Sequence, residues 1–74
     1  MPLVEVKVFK DELTSEQTQA LIQKITDAVA SVSSPKLRPV TWVVVQEIKD
    51  GNWGVGGEAL ALTEVKKMVG WVEE

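Results

Sequence analysis

Val40-Thr41-Trp42-Val43-Val44-Val45-Gln46-Glu47-Ile48 is the stretch on which the fold turns. It is short, rich in β-branched residues, and bounded by Pro39 on one side and Asp50-Gly51-Asn52 on the other. That pattern reads as a strand over residues 40–48. Its core, Trp42 to Val45, is apolar on both faces, which implies cover on both faces. A helix of the same chain can cover one. The other needs something outside this subunit.

The chain before this strand supplies the helix. Lys36-Leu37-Arg38-Pro39 reads as a linker, and Ser33-Ser34-Pro35 as a helix stop. A helix is expected over 15–32. Thr14 and Gln17 fit a capping box, Glu16 suits the positive end of the helix dipole, and Leu21, Ile25, Ala28, Val29 and Val32 recur at helical spacing. Lys10 to Leu13 form a loop. Residues 2–9 alternate as a first strand, with Val4, Val6 and Val8 on one face and Glu5 and Lys7 on the other. Two strands joined through a helix pair in parallel with a right-handed crossover.

Beyond the second strand, Asp50-Gly51-Asn52 is a turn, and Trp53-Gly54-Val55-Gly56-Gly57 reads as a hairpin or bulged ribbon. Thr63 to Val72 can form a short helix, with Val65, Met68, Val69 and Val72 in step and Gly70 as its weak point. The expected fold class is α/β: a single β-α-β unit with parallel strands, a glycine-rich hairpin and a short C-terminal helix, with residues 1–74 as one domain.

With 74 residues, the chain belongs to the size class in which a lone monomer core is marginal. Disulfides, metals or oligomerisation are the usual remedies. The sequence holds no cysteine and no histidine, so disulfides are excluded and a soft metal site is disfavoured. Oligomerisation is left. The net charge of −3 comes from interspersed charges with no basic stripe, which argues against nucleic acid as a partner. No apolar run approaches the roughly 20 residues of a membrane span, and no signal-peptide pattern is visible, so a cytoplasmic location is the default expectation.

The absence of His, Cys and Tyr also removes the usual triads and dyads. Gly54-Val55-Gly56-Gly57 lacks the Lys-Ser/Thr pair of a phosphate-binding loop. Acid-base work then falls to carboxylates, lysines or the chain terminus. Removal of Met1 would leave Pro2 with a free secondary amine. An α-amino group titrates near 7.7–8.0, and burial at the end of an apolar strand lowers that further, towards the range a general base needs. The bland alternative is that Pro2 is a common second residue and nothing more.

The order of parts changes that balance. Pro2 leads into a valine-rich strand, a capped helix opening at Ser15-Glu16-Gln17, a second strand, and Gly51-Asn52-Trp53-Gly54-Val55-Gly56-Gly57. Over residues 2–58 this resembles the 4-oxalocrotonate tautomerase family, including its Gly-x-aromatic-Gly-x-Gly-Gly signature. The resemblance implies an isomerase that uses Pro2 to move a proton in an enol or dienol carboxylic acid, as in aromatic degradation. It also implies sites shared between neighbours in a homohexamer, and no cofactor. Trp53 matches the aromatic position that makes such sites apolar. The family's two substrate-binding arginines have no match: Asp11, Glu12 and Leu13 occupy the first region, and Trp42 falls at the second.

Arg38 is the only arginine, four residues before Trp42. If extended backbone reaches back that far, both side chains share one side of the strand, and Arg38 can replace a missing cation. Its bland alternative is a solvated loop charge. Lys36 and Lys10 are weaker substitutes, and Lys7, Lys49 and Glu47 read as structural or surface charges. Trp42 is either a pocket wall favouring a less charged substrate or ordinary packing. Two rival functions remain. One is a same-fold hydratase or dehalogenase using Glu12 or Glu47. The other is a non-catalytic subunit whose partner brings the arginines.

Overall fold

The computed structural model describes residues 2–70. Strand β1 (Leu3–Phe9) leads into helix α1 (Ser15–Val32) and then a 3-10 helix (Pro35–Val40). Strand β2 (Trp42–Ile48) follows, then β3 (Trp53–Val55), β4 (Glu58–Leu60) and helix α2 (Leu62–Met68). β1 and β2 are parallel and in register from Leu3 against Trp42 to Phe9 against Ile48. β3 and β4 form a separate antiparallel ribbon. The expected β-α-β unit, hairpin and trailing helix are all present.

Local chemistry accounts for the joints. Thr14 Oγ1 accepts from the Gln17 N–H at 3.1 Å, and the Gln17 side chain accepts from the Thr14 N–H at 2.9 Å. This closes the capping box and starts α1 one residue later. In the β3–β4 ribbon, Gly56 and Gly57 take φ values of 60° and 88°. Both central residues of a two-residue type I′ turn need positive φ, which is why glycine stands at each. The Asp50 carboxylate accepts the Leu62 N–H at 2.9 Å and so fastens the start of α2 to the end of β2.

Three expectations need correction. The segment before β2 is not extended. Residues 35–40 wind into a 3-10 helix with proline at its first position, Ser34 Oγ accepting from the Lys36 N–H, and the strand begins at Trp42. Secondly, Ala28 and Val32 do not face the sheet. Val32 is 88% exposed. An 18-residue helix is about 27 Å long. A seven-residue strand spans only about 23 Å, so the last turn overhangs. Leu21, Ile22, Ile25, Val29 and Ala30 form the inward face instead. Thirdly, α2 begins at Leu62 and ends by Val69, where Gly70 at φ 66° supplies the left-handed residue that closes a helix. Gly70 is thus a stop rather than a weak interior point. The expected place of Val72 in that helix lies outside the described residues.

The protomer leaves a large part of its apolar surface open. Among the described residues only Phe9, Ala30 and Leu62 form a buried apolar core. Val4, Val6, Val8, Val43 and Val45, on the α1 side of the sheet, are half-buried. The other face carries Leu3, Trp42 and Val44, all exposed, with Glu5, Lys7 and Gln46. The accessible surface is 5727 Å² for 8.1 kDa. A compact monomer of that mass exposes about 4,500 Å². The Cα radius of gyration is 14.9 Å, where compact packing of this length gives about 11 Å.

Candidate active site

Pro2 stands at the head of β1. Its carbonyl accepts the Trp42 N–H at 2.9 Å, which ties the first residue before the strand to the first residue of β2. The Pro2 ring is half-buried. Strand alternation puts it on the opposite side from Leu3, hence the α1 side. Trp42 therefore meets Pro2 through its backbone, while its indole, 58% exposed, belongs to the open face with Leu3 and Val44.

Trp53 occupies the other end. Its indole stacks on Phe9, centroids 4.6 Å apart and planes 18° off parallel. Seven residues of extended chain separate Phe9 from Pro2, about 23 Å. Within one protomer, Pro2 and Trp53 do not meet. Trp53 instead shares a small open pocket with Lys7, Ile48, Asn52 and Gly54.

Arg38 does not lie on an extension of β2, because the 3-10 helix turns it away from the strand. Its guanidinium pairs with the Asp27 carboxylate at 2.8 Å, beside α1 residues Gln19, Ile22, Gln23 and Thr26. The condition under which Arg38 and Trp42 would share a side of the strand is not met.

The first loop is held shut by carboxylates. Glu12 Oε1 accepts the Phe9 N–H and Glu47 Oε2 accepts the Asp11 N–H, each at 3.0 Å. Asp11 adopts φ 67°, a left-handed conformation that Asp tolerates better than most residues. Glu12 and Glu47, the carboxylates available to a hydratase-type reading, are thus engaged with backbone amides at the Phe9 end, far from Pro2 of the same protomer. Lys10 lies in that loop region too, with Asp11, Lys49 and Asp50.

Lys7, expected to be a structural or surface charge, lines the same small pocket as Trp53. Its position on the outer face was visible from strand alternation. Its nearness to Trp53 was not, because that depends on how the β3–β4 ribbon folds back. Among the described residues no group of His, Cys, Asp or Glu is arranged to hold a metal ion. None of their helices is long and apolar enough to cross a membrane.

Known proteins match this arrangement along most of its length. The sequence pattern of the tautomerase enzyme family covers residues 2–63. "Probable tautomerase K2" of Dickeya dadantii is 35% identical over 60 residues, covering 81% of this chain and 88% of its own. The crystal structure of DmpI from Helicobacter pylori superposes with a TM-score of 0.70 at 30% identity, over 78% of this chain and 94% of that one. A structure from work on the 4-oxalocrotonate tautomerase isozymes of Methylibium petroleiphilum gives a TM-score of 0.67 at 26% identity, over 78% and 90%. The matched region begins at Pro2 and takes in both parallel strands, α1 and the glycine ribbon, and on that ground the chain belongs to the tautomerase family, whose membership supports a tautomerase-type isomerase.

Proposed function

We propose that residues 1–74 act as one domain that isomerises enol or dienol carboxylic acids, with Pro2 as general base once Met1 is removed. The observation that carries this reading is the placement of Pro2: half-buried, at the head of the parallel pair, with its carbonyl pinned by the Trp42 N–H at 2.9 Å. That bond ties the Pro2 carbonyl to β2 and keeps the residue at the end of the strand pair. In the reaction the nitrogen lone pair takes the enol hydroxyl proton and returns a proton to carbon, while the C=C bond gives way to C=O. Nothing is oxidised or lost. Desolvation at the strand end keeps the amine uncharged nearer neutral pH than an ordinary secondary amine would be.

The working unit is a homo-oligomer, with a hexamer as the expected size. A two-stranded sheet with open edges and an uncovered face that exposes Leu3, Trp42 and Val44 favours assembly. Because Pro2 and Trp53 sit at opposite ends of β1, a site using both takes them from different copies. With the family's arginines absent, apolar mono-acids suit the site better than dicarboxylates. The cytoplasm is the expected location. The non-catalytic alternative draws on one observation, the engagement of Arg38 with Asp27.

Intact-mass measurement and proline-directed labelling test this reading. We expect a mass lacking Met1 and a single covalent adduct on Pro2 from an electrophilic acid that resembles the substrate, with parallel loss of turnover. Retention of Met1 in a protein that still turns over an enol acid would rule out Pro2 as the base.

A further inference from the structure

A tautomerase acting on a carboxylic acid needs a cation for the carboxylate, and Arg38, the chain's single arginine, is already paired with Asp27. The pocket around Trp53 holds another cation. Lys7, Ile48, Asn52, Trp53 and Gly54 enclose an open space of 220 Å³. Lys7 reaches it from the outer face of β1. Its ammonium donates to Gln46 Oε1 across the strand pair, where Lys7 stands in register with Gln46. An ammonium has three donors, so two remain. Among the described residues no carboxylate is paired with Lys7. The pocket therefore combines an uncompensated positive charge, a side-chain amide from Asn52 and an indole. Those groups suit the carboxylate of a flat, largely apolar acid.

We propose that this pocket is the carboxylate-binding part of the composite site, with Lys7 as the anchoring cation brought by the subunit that brings Trp53. This rests on the tautomerase reading above and on Trp53 serving the Pro2 of a neighbouring copy. Gln46 is a positioning residue, holding the lysine side chain over the pocket. Lysine binds as a point charge, without the two parallel bonds of a guanidinium. One such anchor suits one carboxylate, in keeping with the mono-acid substrates proposed above.

The test compares Lys7→Gln and Lys7→Arg in the full-length protein, using phenylenolpyruvate and its methyl ester as substrates. For the acid, Lys7→Gln should raise KM about tenfold or more, the worth of a charge-assisted hydrogen bond, with kcat changed less than about twofold. The ester should be indifferent to the substitution, and Lys7→Arg should restore the acid's KM. Equal KM values for the acid in wild type and Lys7→Gln would overturn the proposal. Lys7 lies on the face expected to pack in the assembly, so a second measurement stands independent of the variants. Titration of phenylacetate into the wild-type protein, followed by NMR, should shift the Trp53 indole N–H and the Lys7 side chain, and added salt should weaken that binding. Unmoved Trp53 and Lys7 signals would overturn the proposal even if Lys7→Gln dissociates the assembly. An enzyme in which blocking Pro2 leaves turnover intact would instead refute the base assignment, while the NMR titration still decides the pocket.

Discussion

Val44→Asp should break the assembly. Val44 lies in the middle of the open sheet face, with Trp42 two residues before it on β2 and Glu5 opposite on β1, and it is 46% exposed. Full burial of a valine side chain is worth about 1.5–3 kcal/mol, so burying the half still open contributes about 1 kcal/mol on assembly. An aspartate there loses that term and sets a second carboxylate directly opposite Glu5 on a face that packs in the assembly, a like-charge pair whose burial costs several kcal/mol unless a group takes up a proton. A total of at least about 3 kcal/mol per contact corresponds to a hundredfold or greater loss of affinity between subunits. Light scattering across micromolar concentrations measures it directly. Wild type should give a multiple of 8.1 kDa, and the variant should fall towards a single subunit. Because so few residues are buried in one protomer, the variant should also melt lower, and the wild-type midpoint should rise with protein concentration. A Val44→Asp protein that keeps the wild-type mass would show that this face is not what joins the subunits.

Four further outcomes follow. Thr14→Ala removes one half of the capping box and should cost about 1 kcal/mol, read as a drop of several degrees in thermal midpoint with activity per folded protein unchanged. Trp53→Ala should move the acidic limb of the pH-rate profile to higher pH: water admitted to the site steadies the charged amine, so the base stays protonated to a higher pH. It should also lower stability, since the Phe9 stack is worth about 0.5–1.5 kcal/mol beyond its buried area. In steady-state kinetics, 2-hydroxymuconate should be turned over about ten- to a hundredfold less efficiently than by tautomerases that keep both arginines, with phenylenolpyruvate less affected. Arg38→Ala should leave both substrates nearly unchanged, because its partner Asp27 is 58% exposed and the pair is a surface one.

Legibility in the sequence followed the range of the interactions. The bounds of α1 were readable because Thr14, Gln17 and Pro35 act within a few residues of the backbone they shape. That residues 53–57 form a hairpin or bulged ribbon was readable for the same reason, from their glycine density; that Gly56 and Gly57 make the turn emerged only with the pairing of β3 and β4. Val32 was misassigned because periodicity knows the direction of a side chain but not where the sheet beneath it ends. The 3-10 helix at 35–40 was missed because Pro35 and Pro39 suggest a broken, extended linker, while the Ser34 cap that winds it is a single side-chain bond. For the site, Pro2 stood out by its position in the chain. The separation of Pro2 from Trp53, and the meeting of Lys7 with Trp53, depend on contacts more than 40 residues apart in sequence, such as the Phe9–Trp53 stack, which no local pattern encodes.

The central claim is that the nitrogen of Pro2 is the base, and one added residue tests it most directly. An alanine inserted between Met1 and Pro2 leaves Ala ahead of Pro2 after Met1 removal and turns the proline nitrogen into an amide without a basic lone pair. The bond from the Trp42 N–H to the Pro2 carbonyl does not involve that nitrogen, so the strand pairing and the assembly should persist. Circular dichroism and light scattering check both. Turnover of phenylenolpyruvate should fall by at least about a hundredfold, the usual weight of a positioned general base. A folded, assembled variant that turns over the substrate as fast as the processed wild type would contradict the account.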